Sequence, residues 1–308
     1  MIKDINITIT LTCHRVEILE LLRQEMIKHD VIILEEPRNK YFNDLLNGKL
    51  SIDDYVRSTD QAFPIYAKLQ AELVIEMYKL GKKILQLEPY LEILNRIYEA
   101  IEKNELSRII SDPRVRLVKE VEGKVSKALI EYYEAFLKET FDEIVNKVVN
   151  YAKADAERFK LRDELRGHEI VEMILRGEIS GKVLVESGYM HIHLVKYLRR
   201  VFKNLRVISI PAMACHSIGL NFMLSPGDEL TLAYIINRKL DPKKEKLLAA
   251  RSLIYISLVS KKEKVPTKDN PYPHLFEEHK IISFVNKLNY ESCRRLFEKI
   301  RKYYLGKS

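Results

Sequence analysis

The chain has 308 residues, 46% hydrophobic and 31% charged, which is enough to bury a sizeable core and excludes a disordered or collagen-like chain. Three widely spaced cysteines (Cys13, Cys215, Cys293) argue against a disulfide framework and for a reducing, cytoplasmic setting. The net charge of +8 is uneven, because 12 Lys/Arg against 6 Asp/Glu lie from Lys261 to Ser308. Those charges are mixed in sign and sit among helically spaced apolar residues, so a solvated helix face is expected there rather than a nucleic-acid contact. The charge-rich, Gln-poor, Trp-free composition has a thermophile-like cast. Met1 to Asp4 leads directly into a strand pattern rather than a signal peptide. The most apolar later run, Val207 to Ser225, is too interrupted to span a membrane.

Ile5 to Thr12 alternates and is rich in Ile and Thr, which predicts a strand. Val16, Leu19, Leu22, Met26 and Ile27 recur at helical spacing, and Asp30 to Glu36 is an apolar run suited to a strand covered on both faces. This strand-helix-strand order predicts a right-handed βαβ unit. Ser51 to Asp54 resembles a helix start, Phe63 to Leu80 a helix stopped by Gly81, and Lys83 to Glu88 a third strand. From Tyr90 to about Leu175 only helical spacing is seen, so a long helical insertion is expected, either a lid or a supporting layer. Lys182 to Glu186 then predicts a central strand, ending at Gly188 before a helix from Leu194. Arg206 to Pro211 predicts one more strand, and Ser225-Pro226 and Asp241-Pro242 open two helices. The expected fold is α/β: a central, mainly parallel sheet with flanking helices, the insertion, and C-terminal helices. The expected division is a core over residues 1–225, including the insertion at about 90–175, and a helical extension over 226–308 packed on that core.

Ligands of parallel α/β sheets collect at the carboxyl ends of the strands. His14 follows the first predicted strand, Glu35 and Glu36 close the second, Glu88 closes the third, and His191 and His193 follow the fourth. Two imidazoles with carboxylates on one rim suit a divalent metal or metal-free acid–base work. Only one of Glu35 and Glu36 can face the site, because adjacent strand residues point oppositely. Arg162 and Arg166, at i and i+4 on a helix, are able to reach a carboxylate or a developing oxyanion. For each residue the structural alternative stands beside this one: a helix-capping His, or a surface lattice of Arg162 and Arg166 with Asp163, Glu164 and Glu169. Cys13-His14 and Cys215-His216 are Cys-His pairs whose sulfurs suit zinc or iron, or simply fill space in the core.

The order of these elements resembles the TraB/Tiki superfamily, which takes in the erythromycin-esterase-like and ChaN-like proteins. The likeness runs from about Ile5 to Phe202. Gly188-Tyr189-Met190-His191 is similar to its second Gly-x-x-His motif, Glu35 to its strand-two Glu, and Arg162-Asp163 to its Arg-Asp helix. The first motif departs, since Leu11 stands where the family has Gly, with His14 in place. The resemblance implies a hydrolytic site of His14, Glu35, Arg162 and His191. Its branches imply a peptidase with His14, Glu35 and His191 on a divalent metal (Zn, Mn, Co or Fe), a metal-free ester or lactone hydrolase, or a non-catalytic haem, iron or acidic-ligand binder. A small-molecule or peptide substrate is expected on this ground.

Overall fold

The computed structural model describes residues 5–59 and 62–306. In chain order it contains β1 (Asn6–Thr12), a single 3-10 turn, α1 (Leu19–Met26), β2 (Val31–Leu34), α2 (Phe42–Leu46), α3 (Ile52–Arg57) and α4 (Pro64–Lys79). There follow β3 (Lys83–Gln86), α5 (Pro89–Glu102), α6 (Leu106–Ile109), α7 (Pro113–Lys138) and α8 (Phe141–Leu175). The remaining elements are β4 (Lys182–Gly188), α9 (Ile192–Val201), β5 (Leu205–Ser209), α10 (Ile210–Ser217), α11 (Pro226–Ile235), α12 (Pro242–Leu258), α13 (Pro273–Val285) and α14 (Tyr290–Leu305).

The five strands form one parallel sheet in the order β3-β2-β4-β1-β5, so the fold is α/β as expected. Both faces are covered, and the side-chain alternation sorts residues between them. Ile32, Leu34 and Leu184 pack with residues of α1 and α4. Ile7, Ile9, Leu11, Ile33, Val183 and Val185 pack with the end of α8 and with α9. The Thr residues of β1 are therefore buried rather than solvated, and Thr10 donates its hydroxyl hydrogen to the Val185 carbonyl at 3.5 Å. The last expected strand is shorter than Arg206 to Pro211. Ser209 caps a new helix by accepting from the Ala212 N–H, and Pro211 sits in its first turn, so the apolar run continues as α10.

The chain divides into two compact units, and the boundaries differ from those expected. The first holds the chain up to Glu99, Arg162–Phe222 and Lys262–Leu275, and it contains the whole sheet. The second holds Ala100–Leu161, Met223–Lys261 and the chain from Phe276 on. Its core joins Phe141, Ile144 and Val145 to Leu230, Leu248, Leu253 and Phe297. Most of the insertion thus groups with the C-terminal helices, because the apolar stripe at the start of α8 is buried by theirs. In that unit the tail's Arg294 pairs with Asp142, and Arg301 donates to the Leu137 and Glu139 carbonyls. No helix among the described residues is long and apolar enough to cross a membrane.

Candidate active site

The carboxyl ends of β2 and β4 meet the C-terminal half of α8 in a buried charge network. Glu35 follows directly on β2. Its Oε1 accepts from Arg162 Nη2 at 2.9 Å and lies 2.8 Å from His191 Nε2. Its Oε2 accepts from the Gly188 N–H at 2.6 Å and lies 3.9 Å from Arg166 Nη1. The helical i, i+4 spacing brings both guanidiniums to the same carboxylate. Arg162 Nε also donates to Glu88 at 3.4 Å, while Arg166 donates to Ser187 Oγ at 2.9 Å and to the Glu186 carbonyl at 2.8 Å. Asp163 closes the network by binding His191 Nδ1 with one oxygen and accepting from the Leu194 N–H at 2.8 Å with the other. His191 occupies the N-cap position of α9, yet its side chain caps nothing; Asp163, reaching across from α8, does the capping.

This burial sets the protonation states. Burial alone pushes the Glu35 carboxyl up, but the charges of His191, Arg162 and Arg166 outweigh it and hold Glu35 well below the usual range. Burial pulls His191 down, but Glu35 and Asp163 outweigh it and raise the imidazole to about 9, so it is a cation at neutral pH. Glu88 is raised by burial, with Glu35 adding to the effect and Arg162 and Arg166 opposing it. Arg162 is raised: burial opposes its charge, and Glu88 and Glu35 more than compensate.

A second polar group lies on the α4 side of the same rim. Glu186 is buried, accepting from the Thr12 hydroxyl and the Glu35 N–H at 3.4 Å each. Burial and the Glu35 charge raise its pKa, while His14 and Arg166 lower it. Tyr66 of α4 packs edge-on against the His14 ring, with centroids 5.5 Å apart, and its buried hydroxyl has no hydrogen-bond partner among the described residues. Glu36 points away from Glu35 and accepts from Gln86 Nε2 at 2.7 Å.

An uncharacterized protein of Archaeoglobus fulgidus is 38% identical to this chain over 286 residues, which make up 93% of this chain and 96% of that one. The chain belongs to the same family. The family relative's name states no activity, and no family model and no solved structure matches the chain.

Of the expected site, this family member brings Glu35, Arg162, Arg166, Glu88 and His191 together. His14 is on the same rim, since β1 is the neighbour of β4, but its exposed ring faces Tyr66 and does not join the Glu35–His191 contact. The expected three-ligand metal centre is accordingly not assembled. Both Glu35 oxygens are taken by cations or a backbone N–H, and both His191 nitrogens face carboxylates. Two guanidiniums within 4 Å of Glu35 repel a cation. Among the described residues no group of three or more His, Cys, Asp or Glu is disposed to hold a metal ion. His193 lies on the α9 surface 3.2 Å from Glu164. Cys215 is buried in an apolar cluster with Ala214 and Leu275, His216 is exposed on α10, and Cys13 packs against the α1/α4 core, so the two Cys-His pairs form no common centre.

Sequence reasoning placed Asp163 in the Arg-Asp helix motif and in a surface lattice without giving it a role at the site, and it missed Glu186, Ser187 and Tyr66. Glu186 carried a signal: a lone carboxylate inside a doubly covered apolar strand needs partners. Tyr66 carried none, since an aromatic residue on a helix face is ordinary core.

Proposed function

We propose that the chain is a hydrolase of esters or lactones that works by acid–base and electrostatic catalysis, the metal-free branch of the activity its TraB/Tiki resemblance implies. The observation that carries this is the buried Asp163–His191–Glu35–Arg162 network, which fixes two cations at the carboxyl edge of a parallel sheet. Buried, strongly perturbed charges at that edge are characteristic of sites built for charge development.

His14, exposed at the mouth, takes a proton from water as the oxygen adds to the substrate carbonyl carbon. The carbonyl π electrons move to oxygen, and Arg162, backed by cationic His191, holds that oxyanion. On collapse the C–O bond to the leaving group breaks, and the proton held by His14 passes to the departing alkoxide. Glu35 and Glu88 orient Arg162, and Asp163 orients His191.

The test is hydrolysis of an ester and lactone panel by the purified chain, with and without EDTA. Activity should survive EDTA and be abolished in His14→Ala. In Arg162→Lys, which keeps the charge but loses the planar fork, it should fall by about a hundredfold or more with little loss of stability. Loss in EDTA with rescue by added metal would replace this mechanism by a metal-dependent one. Full activity in Arg162→Lys would remove the electrophile.

A further inference from the structure

The first unit contains a cavity of about 330 Å³ that the charge network does not use. Glu36, Tyr55, Gln70 and Gln86 belong to its polar wall, to which the exposed Arg38 and Lys40 also contribute, and Phe42 and Leu45 of α2 belong to its apolar one. None of His14, Glu35, Arg162 or His191 lines it.

The polar wall is organised by one side chain. Gln86 donates to Glu36 at 2.7 Å and to the Tyr55 hydroxyl oxygen at 2.9 Å, and its own oxygen accepts from the Asn39 N–H at 2.9 Å. Its hydrogen-bonding capacity is directed almost wholly at holding neighbours in place. The Tyr55 hydroxyl, having accepted that hydrogen, keeps its own proton to give. One Glu36 oxygen is engaged by Gln86, and the other has no hydrogen bond within the described residues. Gln70 is only 9% exposed, lines the cavity, and makes no hydrogen bond among the described residues. Its amide donors and acceptor are therefore available to a group that enters the cavity.

The shape of the cavity comes from α4. Ala67, Gln70, Ala71 and Val74 share one face of that helix, and two of the four are alanines, where larger apolar residues would fill the space. Burial, with Glu186 adding to it, pushes the Glu36 carboxyl up to about 7 against the opposing Gln86 hydrogen bond. Near neutral pH that carboxyl therefore both donates and accepts.

We infer that this cavity is a binding site for a small, neutral, planar cyclic amide or nitrogen heterocycle. Its ring N–H and adjacent acceptor would meet Glu36, Gln70 and Tyr55, and its flat body would lie against Phe42 and Leu45. A carboxyl, a primary amide and a phenol on one cavity lining offer donors and acceptors to an edge that carries both, and the volume admits a ring system rather than a peptide. This inference stands apart from the hydrolase mechanism, since the two sets of residues do not overlap.

The experiment is ligand-detected NMR on the full chain with uracil and adenine as probes and cyclohexanol as the apolar comparator. Uracil or adenine should bind and cyclohexanol should not. Ala71→Leu, which fills the cavity, should weaken binding at least tenfold while leaving any esterase activity unchanged. Gln70→Leu, which removes the amide at similar volume, should weaken it about tenfold and serves if Ala71→Leu does not fold. Absence of uracil and adenine binding, equal binding of cyclohexanol, or binding unaffected by the folded variants would each overturn the assignment.

Discussion

Asp163 serves two elements with one carboxylate, and this makes it the most exacting residue of the site. One oxygen holds the His191 ring, and the other satisfies a backbone N–H in the first turn of α9. Asp163→Asn leaves a buried imidazole short of its counter-charge, so stability should drop by about 3–5 kcal/mol in denaturant titration. The His191 pKa should fall from about 9 toward its ordinary 6.5, which NMR titration of the ring reads directly. The sign of the pH dependence follows. His191 is raised in the fold, so its stabilisation is complete below pH 6.5 and is lost as pH climbs through about 9. Glu36 is raised from 4.5 to about 7, so the fold prefers it protonated, and stability declines across that lower window as it ionises. Glu36→Gln should therefore gain on the wild type as pH rises from 4.5 to 7, by up to roughly 3 kcal/mol. Asp163→Asn should instead flatten the decline between 6.5 and 9. Unchanged slopes in the two windows would mean that these groups do not titrate as described.

At the scale of elements, the approach of α9 to α8 rests on Gly167. A Cβ there would lie 2.6 Å from Tyr197 Cδ1, so Gly167→Ala must displace that ring. Gly167 directly follows Arg166, and the substitution should cost about 1–3 kcal/mol despite the better helix propensity of Ala, measurable as a lower Tm. Gly188 behaves differently. A Cβ there would meet His191 and Glu35 at 3.5 and 3.6 Å, ordinary contact distances, so Ala should be tolerated. The Gly in the Gly-x-x-His stretch is thus not demanded by backbone strain, and the turn was legible for a reason other than the one that shapes it. Much else was legible because it is periodic. The alternation of β1, the apolar runs of β2 and β4, and the Arg162/Arg166 spacing placed the sheet and half the network. The face of α4 was not legible, because Tyr66 and Gln70 look like any helix interior until Glu186 and Glu36 are seen beside them. Nor was the separation of His14 from Glu35, since strand order says which rim a residue reaches but not which way its side chain leans.

For the whole molecule, the division into units was the hardest feature to foresee. Apolar helical periodicity shows that a stripe is buried but not by which helices, so the insertion was assigned to the sheet rather than to α11, α12 and α14. Phe297, fully buried in the second unit's core, should cost about 3–5 kcal/mol when replaced by Ala, again by denaturant titration. The strand order has a further consequence, for the order of events at the ribosome. β4 lies between β1 and β2, which do not pair with each other, and both partners precede it by more than 150 residues. A nascent chain halted before Lys182 holds β1 with neither neighbour and β2 paired only with β3. Glu35 and Arg162 have by then been synthesised without the strand that brings Gly188 and His191 to them. Such long-range closure is slow and leaves strand edges bare while synthesis proceeds. Chains stalled or truncated short of residue 182 should therefore be protease-sensitive and prone to aggregate, whereas chains extended past β5, once clear of the exit tunnel, should acquire protection across all five strands within a narrow span of added length.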